Sequence, residues 1–406
     1  MDGGFYETRE RLRARVFTEP ARRIQLLTGP RQVGKTTILL ELAGEFGERA
    51  IYRAADVEEI AAPGWWAIQW DRAMRLARTG PTLLLVDEIQ TLPNWARRVK
   101  VAFDEVARER LPLQIVISGS AALSMTRGAR NELAGRFELL TLRHWTAQDL
   151  IQAFGLTDDE AAEVYVRFGA FPGELDRRMD YPRWREYILH AIIDPALNRD
   201  LLMLEPIQKP ALLRQINSLA AAYPGEIISL QKLAAQLLEK GAPATIAHYL
   251  TVLEEAFLLA ALHKYSDREL RLRASPPKLV PLSNAFLTAY ADSVPPTTAT
   301  DPVRWGRWLE TACTAHAVNT GCRVAYWREE PYEVDLIVAG ERGKWAIEIK
   351  SGSYAIQDLT GLSTFHLRHP DFRPLVVGAE EHRGTADRCG IDFVRWQDFL
   401  LDRWPA

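Results

Sequence analysis

Cysteine is scarce. Cys313, Cys322 and Cys389 are too few and too odd in number for a disulfide framework, so a reducing cytoplasm is the expected setting. Long apolar runs are missing too. The longest covers 256–262, well short of the roughly 20 residues a membrane helix needs, and no membrane partner is expected. Residues 1–17 are charged and lack the apolar stretch of a signal peptide. Neither sign of charge dominates: 50 Lys and Arg stand against 53 Asp and Glu, a net −3. A chain whose whole surface coated nucleic acid would usually be basic, so only a local basic patch is left as a route to DNA. There are no repeats and no low-complexity tracts, which excludes collagenous, mucin-like and wholly disordered classes. At roughly 150 residues per domain, 406 residues imply two to three domains.

The first part of the chain alternates short apolar strands with helical stretches, the pattern of a parallel α/β sheet. Strands are expected over 24–27, 50–53, 83–86, 114–118 and 137–142, with a helix over 95–108 whose apolar positions include Trp95, Val99, Val101 and Phe103. Residues 146–203 read as mostly helical. Pro206 and Pro210 bracket one boundary, and the polar stretch 293–302 marks another. Beyond it the expected order is helix 305–318, strands 323–327, 334–338 and 345–350, helix 356–365 and strand 375–377.

The strongest motif is Gly29-Pro30-Arg31-Gln32-Val33-Gly34-Lys35-Thr36. It fits G-x-x-x-x-G-K-S/T at every fixed position, follows a strand and opens a helix through Thr37. Glycines let backbone N–H groups approach phosphates, and the helix N-terminus adds positive potential. Lys35 is expected to reach the β- and γ-phosphates of ATP, and Thr36 to offer its hydroxyl to Mg²⁺. Leu83-Leu84-Leu85-Val86-Asp87-Glu88 then reads as a strand buried on both faces and ending in two acids, at the edge where open α/β sheets bind ligands. Asp87 would hold the ion and Glu88 would polarise the attacking water. Ser118, in Ser118-Gly119-Ser120 after the next strand, is either a γ-phosphate sensor or part of a strand-ending turn.

These motifs, with Leu133-Ala134-Gly135-Arg136 after them, resemble those of AAA-type ATPases of bacteria and archaea that carry a C-terminal domain of unknown function. The resemblance implies an arginine on the γ-phosphate, in cis or from a neighbouring subunit of an oligomer. Arg136 is the best match, with Arg127 and Arg130 as rivals. Such an arginine stabilises charge on the transferring phosphoryl group.

Residues 211–273 fit a winged helix-turn-helix, a module the resembling family is expected to have here. Ser229 is the expected N-cap of a helix over 230–238, Gly241 makes the turn, a long helix covers 244–262, and 268–273 form a wing strand. The second helix offers Thr245, His248, Tyr249 and Thr251 but no lysine or arginine, a poor set for reading base edges. Lys264, Arg268, Arg271 and Arg273 on the wing suit phosphates. Residues 209–278 hold nine basic and six acidic residues, so backbone contact with DNA is favoured over base readout.

The last hundred residues place Glu310 on a helix, Glu333-Val334-Asp335 on one strand and Glu348-Ile349-Lys350 on the next. Strand alternation puts Glu333 with Asp335, and Glu348 with Lys350, on one face, while Val334, Ile347 and Ile349 point to the other. Hard carboxylate oxygens suit Mg²⁺ or Mn²⁺, and an ammonium beside them suits a scissile phosphate. The layout resembles the restriction-endonuclease-like PD-(D/E)xK superfamily. Asp335 and Glu348-Ile349-Lys350 match its strand motif, Glu310 its helix acid, and Gln357 a glutamine on the following helix. The proline is absent, with Val334 in its place.

The expected architecture is therefore α/β multidomain. An AAA-type P-loop parallel-sheet core covers 1–145, a helical lid 146–205, a winged helix 206–278 and a restriction-endonuclease-like α/β domain 279–406. The expected function is ATP hydrolysis coupled to a metal-dependent nuclease-like domain on DNA, in maintenance or defence. The alternative is a nucleotide-dependent switch that binds a protein partner and whose nuclease-like fold is inactive.

Overall fold

The computed structural model describes residues 4–19, 22–55, 60–119, 131–201, 207–239, 241–266, 275–291 and 293–405. Ser120, Arg127, Arg130, Pro206, Arg268, Arg271 and Arg273 lie outside them. The chain forms two compact units, residues 1–143 and residues 144–202 with 206–406.

The first unit is built on an all-parallel sheet of β1 (Ile24–Thr28), β2 (Ala50–Ala54), β3 (Thr82–Asp87), β4 (Leu113–Gly119) and β5 (Phe137–Thr141), in the order β2-β3-β4-β1-β5. β1, β3 and β4 are buried along their whole length. The apolar runs 83–86 and 115–117 within them are what a sheet covered on both faces requires. The helices are α1 (Phe5–Thr18), α2 (Lys35–Phe46), α3 (Trp65–Ala77) and α4 (Trp95–Glu109). α4 buries Trp95, Ala96, Val99, Ala102 and Val106, an i, i+3/i+4 stripe. Val101, grouped with its apolar positions from the sequence, falls off that stripe and is 63% exposed.

In the second unit come α5 (Ala147–Phe154), α6 (Asp158–Phe168) and α7 (Tyr181–Tyr187). Thr146 with Asp149 and Thr157 with Glu160 form capping boxes that start the first two. Next are α8 (Pro210–Ala222), α9 (Leu230–Gln236), α10 (Pro243–Glu255) and a hairpin of β6 (Leu259–Leu262) and β7 (Lys278–Pro281). Ser229 caps α9 by accepting from Lys232 N at 3.1 Å. The long helix expected over 244–262 is corrected: α10 ends at Glu255, Phe257 takes φ 59°, and the apolar run continues as β6. A short apolar run has no period that separates buried strand from buried helix.

α11 (Asn284–Tyr290) ties the lid segment to α12 (Pro302–Asn319). Asn284 Nδ2 donates to the Val166 carbonyl of α6 at 2.6 Å and to the Trp308 carbonyl of α12 at 2.8 Å. The described helices of the expected lid thus pack within the second unit. The remaining elements are β8 (Arg323–Glu329), β9 (Tyr332–Gly340), β10 (Gly343–Lys350), α13 (Thr360–Arg368), β11 (Arg373–Gly378), α14 (Arg383–Arg388), β12 (Asp392–Arg395) and α15 (Trp396–Leu400). β8, β9 and β10 form an antiparallel meander, and β11 and β12 add in parallel beyond β10. The strand order is β12-β11-β10-β9-β8.

Candidate nucleotide and carboxylate sites

Gly29 leaves β1 with φ 155°, and a Cβ there would sit 2.0 Å from the Leu142 carbonyl oxygen. Gly34, at φ 97°, precedes α2, and a Cβ on it would meet the Phe5 ring at 2.6 Å. Only glycine fits either place. α2 therefore starts at Lys35, at the phosphate-loop end of β1. The Lys35 ammonium is folded into the loop, donating to the carbonyls of Gly29 at 3.0 Å and Pro30 at 2.6 Å. Pro30, Arg31, Gln32 and Val33 form the turn between, with Gln32 at φ 61°.

Asp87 is the centre of this site and is buried. Its Oδ2 accepts from Thr36 Oγ1 at 2.6 Å and from the Tyr52 hydroxyl at 3.2 Å. Its Oδ1 accepts from the Glu88 backbone N–H at 3.1 Å and from the Ser118 hydroxyl. The strand order explains the meeting. β4 lies between β1 and β3, so Ser118 stands between the phosphate loop and Asp87. Ser118 is fully buried inside β4, not in a turn after it. Glu88 leaves β3 in the left-handed region, φ 51° and ψ 40°, and its Oε2 accepts from Gln90 Nε2 at 2.5 Å. A non-glycine residue held there is the kind of strain that collects at functional sites. Tyr52 was missed from the sequence. Only the pairing of β2 with β3 brings it to Asp87.

Arg136 is not in this group. Its carbonyl accepts from Ile24 N, where β1 begins, while the phosphate loop follows the other end of that strand. A five-residue strand separates the two by roughly 16 Å. The guanidinium is engaged with Asp104 of α4 at 2.6 and 3.3 Å. A finger acting in cis is thereby corrected. A role in trans would require release from Asp104.

The second group forms where β9 and β10 part. Their ladder runs to Ile347 opposite Leu336, and one step further the Asp335 carboxylate replaces a strand bond, Oδ2 accepting from Ile349 N at 2.8 Å. Val334, Ile347 and Ile349 are buried, as alternation requires. Glu348 is 7% exposed. Its Oε1 accepts from Lys350 Nζ at 2.8 Å, and its Oε2 is buried with no hydrogen-bond partner. Burial, then the neighbouring Asp335, pushes the Glu348 carboxyl up to about 8. Glu310 of α12 does not join as a free acid. Its Oε1 lies 2.6 Å from the ammonium of Lys278, a residue of β7 that the sequence reading never placed here. Lys278 is 1% exposed and also donates to the Asp335 carbonyl at 3.1 Å. Burial works against the charge of Lys278, but Glu310 and Asp335 outweigh it and raise its pKa. Burial likewise raises the Glu310 and Glu333 carboxyls. Glu333 lies 3.7 Å from Arg328, and Gln357 is exposed. Among the described residues no three His, Cys, Asp or Glu side chains are gathered as a ready-made metal cage.

The Glu348 shift has a measurable consequence. Its folded pKa lies above the ordinary 4.5, so between those values the folded state binds the extra proton. Its contribution to stability then falls as pH rises through the window, by about 1.4 kcal/mol per pH unit at most. Glu348→Gln imitates the protonated acid. The metal-free variant is expected to melt with the wild type near about pH 5 and above it near about pH 9. Parallel melting curves at both pH values would contradict the shift.

Of the expected DNA-contacting residues only Lys264 is described. It is half-buried, and its backbone bridges Tyr326 of β8. Tyr249, expected on the reading helix, is buried and accepts from Lys209 N at 2.9 Å. No helix among the described residues is long and apolar enough to cross a membrane.

Residues 21–151 match the family described as AAA domain. Residues 159–294 and 305–397 match two families described as domains of unknown function, DUF8612 and DUF4143. Uncharacterized proteins of Mycobacterium tuberculosis and Mycobacterium bovis are each 30% identical over 257 residues, 62% of this chain and 52% of the relative. The chain spans about half the length of the curated relatives it matches. Among solved structures, AMPPCP-bound DnaA of Aquifex aeolicus is 14% identical, with TM-score 0.31 over 62% of this chain and 87% of its own. The RuvB Holliday junction branch migration motor of Thermotoga maritima is 18% identical, with TM-score 0.33 over 64% and 89%. The Orc1 protein of Aeropyrum pernix in complex with DNA is 16% identical, with TM-score 0.32 over 71% and 92%. Likeness at these TM-scores is too slight to carry function across. The family match, the phosphate loop and the parallel sheet together make the N-terminal part an AAA-type P-loop ATPase domain, followed by a separate C-terminal α/β region.

Proposed function

We propose that the chain hydrolyses ATP and works on DNA, its ATPase coupled to a metal-dependent nuclease-like domain, in DNA maintenance or defence. The observation that carries the ATPase reading is the convergence of Thr36, Ser118, Tyr52 and the Glu88 N–H on Asp87, beside Lys35. Lys35 and the N–H groups opening α2 would hold the phosphates. Glu88 would orient and polarise the attacking water. Ser118 would report the γ-phosphate to Asp87. Thr36 and Asp87, hard oxygen donors beside the phosphate loop, fit Mg²⁺, which when bound would shield charge on the phosphates.

For the C-terminal region the reading is a PD-(D/E)xK-like site. It is supported by a helix, a meander and a parallel strand in the expected order, and by the unpartnered Oε2 of Glu348. Asp335 and Glu348 would hold Mg²⁺ or Mn²⁺, whose charge would polarise the scissile phosphate. The Lys350 ammonium, held by Glu348, would orient the water. The winged-helix reading of 206–278 is supported by α8, α9, α10 and the β6–β7 hairpin, with residues 225–228 pairing along 277–279. DNA would be gripped at its backbone by Lys264, Arg268, Arg271 and Arg273. Replacing the three arginines by glutamine is expected to weaken DNA binding and flatten its log–log salt dependence, by about 0.9 for each phosphate no longer neutralised. An unchanged salt slope would remove the wing from the interface.

A protein-binding switch with an inactive nuclease-like fold is the second reading, and the engagement of Glu310 by Lys278 favours it. One experiment separates the two: ATP turnover and cleavage of plasmid, single-stranded and branched DNA, measured together with Mg²⁺ or Mn²⁺. Turnover without cleavage under every condition would select the switch. Absence of turnover would reject both.

A further inference from the structure

Lys278 reaches the carboxylate cluster from outside the α/β region that supplies the rest of it. Its backbone is fixed on both sides, paired with Leu262 of β6 and bridged to Ile227. Its ammonium lies against Glu310 Oε1 at 2.6 Å and the Asp335 carbonyl at 3.1 Å. Gly225 leaves room for the pair: a Cβ there would stand 3.3 Å from Glu310 Oε1 and 3.7 Å from Lys278 Cε. A buried ammonium has to be paired, and Glu310 is its counter-charge. The same ammonium stands between Glu310 and the Asp335 carbonyl of β9, and it repels a second positive charge there. Glu348, in contrast, keeps one buried oxygen uncommitted.

On the reading of this cluster as a metal site, we propose that Lys278 is a positioning residue of that site. It holds Glu310 out of the ligand set, so that Asp335 and Glu348 bind one divalent cation and Glu310 binds none. The test is Mn²⁺ binding to the nucleotide-free full chain by equilibrium dialysis. The Asp335→Asn/Glu348→Gln double variant serves as the blank that subtracts all other sites. The wild type binds one Mn²⁺ above the blank. Lys278→Met, which frees Glu310, binds a second. Exchanging the whole pair, Lys278→Met with Glu310→Gln, avoids an unpaired buried charge and is the variant expected to fold in any case. It still binds one Mn²⁺, with less than about a tenfold loss of affinity, the low end of what disturbing a ligand's partners costs. A larger loss in the pair exchange would make Glu310 a ligand and overturn the proposal. So would a Lys278→Met variant with wild-type stoichiometry and affinity. A wild type that binds nothing above the blank would reject the metal site itself, a different failure.

Discussion

Replacing Lys35 with alanine is expected to cut ATP turnover by about 10²–10³-fold, the usual loss when one preorganised donor to a developing charge is removed. The ammonium already sits inside the loop, 2.6 Å from the Pro30 carbonyl and 3.0 Å from that of Gly29. A phosphate entering the loop would exchange those neutral acceptors for anionic ones, which attract the ammonium more strongly. Nucleotide affinity should fall with turnover. Glu88→Gln provides the contrast: it keeps the left-handed corner after β3 and should bind ATP normally, yet turn it over about 10²–10⁴-fold more slowly. Phosphate release and nucleotide titration on both variants, with melting curves as the control for folding, separate binding from chemistry. Unchanged turnover in Lys35→Ala would place the hydrolytic site elsewhere.

Asp335→Ala combined with Lys350→Ala is expected to abolish DNA cleavage, by more than about 10³-fold. Metal-assisted polarisation is worth several kcal/mol, and each 1.4 kcal/mol is a factor of about ten in rate. The two side chains lie in one cluster. Asp335 fixes the Ile349 N–H at 2.8 Å, and Lys350 holds Glu348 Oε1 at 2.8 Å. Removing both would take away a proposed metal ligand and the ammonium without touching the phosphate loop, so ATP turnover should stay at the wild-type level. Cleavage that survives the double change would have to come from another site.

The parallel sheet and the phosphate loop were legible in the sequence because both are local. Buried strands are short apolar runs, and a glycine loop between strand and helix has a fixed spacing. Asp335, Glu348 and Lys350 were legible through the two-residue period of strands. What could not be read was carried by topology. Tyr52 meets Asp87 only because β2 lies beside β3. Lys278 meets Glu310 because a hairpin strand 32 positions earlier runs past α12. The end of α10 was missed because the apolar run over 256–262 has no period of its own. Arg136 was assigned by motif alone, and the parallel register of β5 with β1 moves it to the far end of the sheet.

β8 is the outermost strand of the C-terminal sheet, and its outer edge is paired by the residues just after β6. Tyr326 N donates to the His263 carbonyl at 3.2 Å, Tyr265 N donates back to Tyr326 at 2.6 Å, and the Tyr265 ring packs on Phe365, His369 and Phe372. An unpaired edge of this kind invites other strands to add to it. A fragment that began at residue 279 would therefore lack both the neighbour of β8 and the lysine of Glu310. The structural unit that includes β8 thus begins before His263.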